Sequence, residues 1–191
     1  MINWRKLWGT IGEMIMARES KRFDAYHKGR MIYEKYLMDN KELLIENNGP
    51  SFVSRKKAKE SIELENAEKL FLESIQGAEE EKDYFDMAIA YQQLGQMYYY
   101  QGRLAEAIHS LKKSLDVILG LISLHKDYKT VLSDIHYFMG LAYIDLSDFE
   151  NAEKEIYESN EINKINNNKY NLQYDELAIK RLRERRTSIV S

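Results

Sequence analysis

The stretch from Ala88 to Leu119, AIAYQQLGQMYYYQGRLAEAIHSLKKSLDVIL, constrains the fold most. It reads as two amphipathic helices joined by a tight turn. Leu94 and Tyr98 stand four apart and share one helix face. Gly95 and Ala107 carry little or no side chain, so two helix backbones can approach closely there. Gly102 supplies a turn conformation that residues with a Cβ resist. A second copy follows: His136, Met139, Gly140 and Tyr143 repeat the spacing of Tyr91, Leu94, Gly95 and Tyr98. Ala152 and Ile156 then repeat Ala107 and Leu111. A partial third copy lies upstream, where Glu-Asn-Ala-Glu-Lys at 65–69 and Glu-Ser at 73–74 recur at 150–154 and 158–159. Ala67, Ala107 and Ala152 are therefore equivalent positions, spaced 40 and then 45 residues apart.

This pattern resembles the tetratricopeptide repeat, W-x-x-L-G-x-x-Y…A-x-x-x-F…P. Here Tyr91 stands for the Trp, Leu111 for the Phe and Leu119 for the closing Pro, all of which keep bulk or helicity. The spacing exceeds the basic repeat, as in kinesin light chain and bacterial peptide-pheromone receptors. The resemblance covers residues 51–166 and implies an all-α fold, a right-handed α-solenoid of helical hairpins with flanking N- and C-terminal helices. It also implies that the first helix of each hairpin lines a concave groove for an extended or helical peptide. Carried over by register, the groove-facing, partner-binding residues are Ile89, Gln92, Gln96 and Tyr99 in one hairpin, and Asp134, Tyr137, Leu141 and Ile144 in the next. Gln92 and Gln96 occupy the places of the Lys and Asn clamp of chaperone-binding members, which argues against an acidic chaperone tail as ligand.

One domain accounts for the chain: N-terminal helices over 1–50, repeats over 51–166, and a C-terminal capping helix with a basic tail over 167–191. The 191 residues hold one proline, which permits long helices, and no cysteine, which excludes disulfides, thiolate catalysis and Cys-based zinc sites. No apolar run approaches the roughly 18–20 residues that span a bilayer. Arg5, Lys6, Glu13 and Arg18 interrupt any secretory apolar segment. A cytoplasmic protein is expected.

Along the chain, residues 1–18 read as an amphipathic helix with Trp4, Leu7, Trp8 and Ile11 on its apolar face, a possible interface for capping the repeats, for a partner or for a homo-oligomer. Residues 20–47 read as a second long helix. Asn47 to Ser51 is the clearest break, with Pro50 restarting a helix, and 51–81 reads as one uninterrupted helix. With 20–47 it would make a degenerate first hairpin. Residues 84–101 with 104–125, and 129–146 with 149–166, are the clear hairpins. A last helix over 170–186 offers Leu172, Leu177, Ile179 and Leu182 as apolar positions.

Charge is uneven beneath a net −3. Both ends are basic and residues 60–100 are acidic, a pattern read first as solvated helix faces. Arg55-Lys56-Lys57-Ala58-Lys59 is a short basic run, and a solvated face again accounts for it better than nucleic acid does. No catalytic constellation emerges: His27, His109, His125 and His136 are dispersed, and there is no phosphate loop or nucleophile elbow. No cofactor and no metal are implied. The expectation is a non-enzymatic adaptor that binds a protein or peptide in the repeat groove. The alternative is a self-assembling or membrane-peripheral component acting through the Trp-bearing N-terminal helix.

Overall fold

A computed structural model describes residues 23–43, 50–121 and 128–190. The helix expected over 1–18, with Trp4, Leu7, Trp8 and Ile11, lies outside the described residues. Helix α1 spans 23–39, and a 3-10 turn follows at Lys41–Leu43. Then come α2 (Phe52–Lys59), α3 (Ile62–Glu81), α4 (Tyr84–Tyr100), α5 (Leu104–Leu121), α6 (Lys129–Asp145), α7 (Phe149–Ile165) and α8 (Lys169–Val190). The described residues contain no strand. The chain is an all-α solenoid of hairpins. The pairs α4–α5 and α6–α7 pack most extensively, while α4, α6 and α8 touch in succession and form the inner layer.

The turns after α3, α4, α6 and α7 share one construction. In each, a residue enters the left-handed region: Lys82 (φ 59°), Gly102 (φ 72°), Ser147 (φ 60°) and Asn167 (φ 52°). The next N–H then bonds back five residues: Asp83 to Ala78, Arg103 to Tyr98, Asp148 to Tyr143 and Asn168 to Asn163, at 2.9–3.0 Å. This closes the helix C-terminus by capping its last carbonyls. Asp83 and Asp148 also cap the helices that follow, accepting from Asp86 N and Asn151 N.

Small residues set the distance between paired helices. A Cβ on Gly95 would lie 2.6 Å from Leu111 Cγ, and one on Gly140 would lie 2.5 Å from Ile156 Cγ1. Both contacts are too short to exist, so each glycine is required by close approach. Ala107, Leu111, Ala152 and Ile156 opposite them are fully buried.

The same device appears once more. Gly29 of α1 faces the Ala67 carbonyl and Leu70 of α3, at 3.3 and 3.2 Å from a built Cβ, with Phe71 at 3.4 Å. Ala67 and Phe71 are the equivalents of Ala107 and Leu111. The first hairpin is therefore α1 with α3, and the 3-10 turn and α2 are inserted between its arms.

Residues 51–81 do not form one helix. The chain breaks at Glu60–Ser61 without glycine or proline, because the Ser61 hydroxyl caps α3 by accepting from Leu64 N at 3.3 Å. That break lets α2 swing across the ends of α4 and α6. There Gln101 Nε2 donates to the Ala58 carbonyl at 3.4 Å, and the Arg55 side chain lies against Gly102.

Candidate functional site

The inner layer holds a cavity of about 420 Å³ between α4, α6, α7 and α8. That volume falls within the roughly 300–1,000 Å³ of small-ligand sites. Helix α4 contributes Gln96 and Tyr100, α6 contributes Asp134, Tyr137 and Phe138, and α7 contributes Ser159 and Asn163. Helix α8 closes the far wall with Tyr170, Asn171, Tyr174 and Asp175.

The aromatic rings form a continuous wall. Tyr170 and Tyr174 are 5.1 Å apart and share a hydroxyl–hydroxyl hydrogen bond of 2.9 Å. Tyr174 meets Tyr137 edge to face at 6.4 Å. Tyr137 meets Phe138 at 5.3 Å, and Phe138 meets Tyr100 at 6.0 Å. Edge-to-face packing of this kind fixes ring orientation. Burial pushes the Tyr100 and Tyr137 phenols above their ordinary range, so both remain protonated at neutral pH.

Two carboxylates stand among these rings. Asp134 accepts from Asn171 Nδ2 at 3.1 Å and from Gln92 Nε2 at 3.4 Å. Its pKa is pushed up to about 6, chiefly by burial; the two amide donors oppose the rise and the charge of Asp175 adds to it. Asp175 accepts from Ser159 Oγ at 2.7 Å and Asn163 Nδ2 at 2.8 Å. Burial raises its pKa too, against the hydrogen bonds from Asn163, Ser159 and Asn160. Ser159 is the last of three equivalent buried serines, seven residues after Ala67, Ala107 and Ala152. In the middle hairpin Ser114 bonds to the Ala88 carbonyl of its own partner helix at 2.7 Å. In the last hairpin Ser159 turns to α8 instead.

The other end of the inner face is tied shut. Asp145, at the end of α6, pairs with both Arg55 of α2 and Arg181 of α8. The Arg55 guanidinium lies 5.1 Å from the centre of the Tyr99 ring, and Arg181 Nη1 donates to the Tyr99 hydroxyl at 3.1 Å. Burial opposes the charge of Arg181, but Tyr99 and Asp145 outweigh it and hold the guanidinium protonated. An inserted helix and the last helix thus meet over one end of the groove.

The residues named by register separate into three groups. Gln96, Asp134 and Tyr137 line the cavity, and Gln92 stands behind them as a donor to Asp134. Tyr99, fully buried, lies beneath the two arginines, and Leu141 and Ile144 are buried in the core. Ile89 is half-buried on α4. Sequence reasoning did not find Tyr170, Asn171, Tyr174, Asp175 and Asn163. Four of them sit on α8, after the repeats, and Asn163 sits on α7, the second helix of its hairpin, whereas the register named only first-helix positions. His136 is a structural residue, its Nδ1 within 2.6 Å of Glu155 Oε2.

Comparison with known proteins bears on the hairpins. Residues 63–118 and residues 133–166 each match the family described as tetratricopeptide repeat. The first segment runs from α3 through α5, and the second covers α6 and α7. No curated protein and no solved structure matches the chain.

Proposed function

We propose that this chain, a member of the tetratricopeptide repeat family, is a non-enzymatic adaptor that holds a segment of a partner protein in its inner-face cavity. Repeats of this family are protein–protein interaction modules. The observation that carries the reading is the cavity itself: five aromatic rings and several amide side chains on the face formed by α4, α6 and α8. Tyrosine offers flat contact area and a polar tip at low conformational cost. Gln96 and Asn171 can donate to and accept from a peptide backbone whatever its sequence. The Asp145 tie closes one end of the groove, so the segment lies over the half from Gln96 to Tyr174.

Two photo-crosslinking variants test this in the native cell. One carries the reactive residue in place of Tyr170 at the cavity rim, the other in place of Tyr157 on α7, outside the cavity. A protein captured from position 170 and absent from position 157 supports the reading. Equal capture from both, or capture from 157 alone, refutes it.

A further inference from the structure

We infer that the cavity selects a partner segment bearing a lysine or arginine side chain, whose cation lies between the carboxylates of Asp134 and Asp175. The inference rests on the cavity's being the partner site and goes on to name the chemistry it recognises.

The first observation is a local shortage of positive charge. Elsewhere Glu68 pairs with Arg103, and Asp145 pairs with Arg55 and Arg181. Among the described residues, Asp134 and Asp175 form no ion pair. Their partners are neutral amides and a hydroxyl. Among the described residues, none that lines the cavity is basic. Asp175 is buried and Asp134 half-buried; carboxylates so enclosed without a counter-charge are costly, and an arriving cation reduces that cost.

The second observation is independent of the acids. Asn163 is 1% exposed, and its Oδ1 has no hydrogen-bond partner among the described residues. Its Nδ2 is committed to Asp175 at 2.8 Å, so turning the amide over would break one bond to make another. The wall of the cavity therefore holds a buried acceptor in want of a donor. Buried orphan acceptors call for an explanation, and an ammonium or guanidinium, which only donates, supplies one.

The rings give the third. Tyr137 and Tyr174 line the same cavity as the two acids, and the face of a phenol ring attracts a cation through its quadrupole. An anionic side chain would be repelled by Asp134 and Asp175, and an apolar one would leave both charges unanswered. A basic side chain answers all three.

Selection of a random peptide library displayed on phage against the full-length protein is the test. The expected result is a set of enriched peptides with lysine or arginine at a shared position. Asp134→Asn with Asp175→Asn, a pair that preserves size and hydrogen-bonding groups, should weaken these peptides at least about tenfold. Helicity should match wild type by circular dichroism. Exchanging the basic residue for glutamine should cost a similar factor against wild type and little further against the double variant. Enriched peptides that depend on Tyr137 yet tolerate loss of every basic residue would overturn the cationic inference and leave the cavity as the site. Peptides indifferent to Tyr137→Ala, or no enrichment at all, would overturn both.

Discussion

Replacing Asp134 with asparagine removes a charge that its surroundings oppose. The carboxyl titrates at about 6 in the folded protein against an ordinary 3.8. A tenfold difference in proton affinity is about 1.4 kcal/mol, so the ionised form costs roughly 3 kcal/mol of stability at neutral pH. Asparagine keeps the size and can still accept from Asn171. Gln92 can turn its amide to meet the new donor. Because the relaxed site recovers only part of the cost, the substitution should stabilise the protein by about 1–3 kcal/mol at pH 7.5.

The pH dependence carries the sign. A carboxyl with a raised folded pKa binds its proton more tightly in the folded state than in the unfolded one. Its penalty is therefore in full force above pH 6 and fades as pH falls from about 6 towards 4. The groups that face it are Gln92 on α4 and Asn171 and Asp175 on α8. Asp175 works in the same direction, since its own charge adds to the penalty. Urea denaturation of both proteins at pH 7.5 and pH 4.5 measures the difference. The variant should be the more stable at the higher pH, and the gap should close at the lower. A variant that is less stable at pH 7.5, or a gap that does not change with pH, would refute the assignment. On the cation inference this same variant binds its partner less well, so stability and binding move in opposite directions.

Other perturbations follow from single contacts. Gly95→Ala should cost about 1–3 kcal/mol in denaturant unfolding, since its Cβ would lie 2.6 Å from Leu111. Gly120→Ala, with nothing within 4 Å of the added carbon, should instead be neutral or stabilising by up to about 1 kcal/mol. Asp145→Ala strands Arg55 and Arg181 and should cost about 3–5 kcal/mol by the same measurement. Ser147→Gly relieves a left-handed residue with φ 60° and should raise stability by about 0.5–1 kcal/mol.

The hairpins were legible because their closest contacts recur at short spacing. Gly95 precedes Ala107 by 12 residues, and Gly140 precedes Ala152 by 12. Gly29 precedes its partner Ala67 by 38, so the same contact in the first hairpin is hidden by the inserted segment that holds α2. The break before α3 was missed because a serine cap needs neither glycine nor proline. Helix α8 misled for a different reason. Leu177 is one of its apolar positions, yet it is 36% exposed, while Asp175 and Arg181 are buried along with Ala178 and Leu182. Those polar residues go inside because Ser159, Asn163, Tyr99 and Asp145 meet them. Such partners lie far away in sequence, and periodicity carries no trace of them. Half of the cavity is therefore visible in the repeat register, as Gln96, Asp134 and Tyr137. The half contributed by Asn163, Asn171, Tyr174 and Asp175 depends on where α8 docks.

The most direct test of the central claim is a map of backbone amide shifts in the full chain, recorded as a peptide from the captured partner is added. The perturbed residues should gather around Gln96, Asp134, Tyr137, Asn171 and Tyr174. Perturbations confined to the exposed sides of α3, α5 and α7, or to the residues before α1, would contradict it.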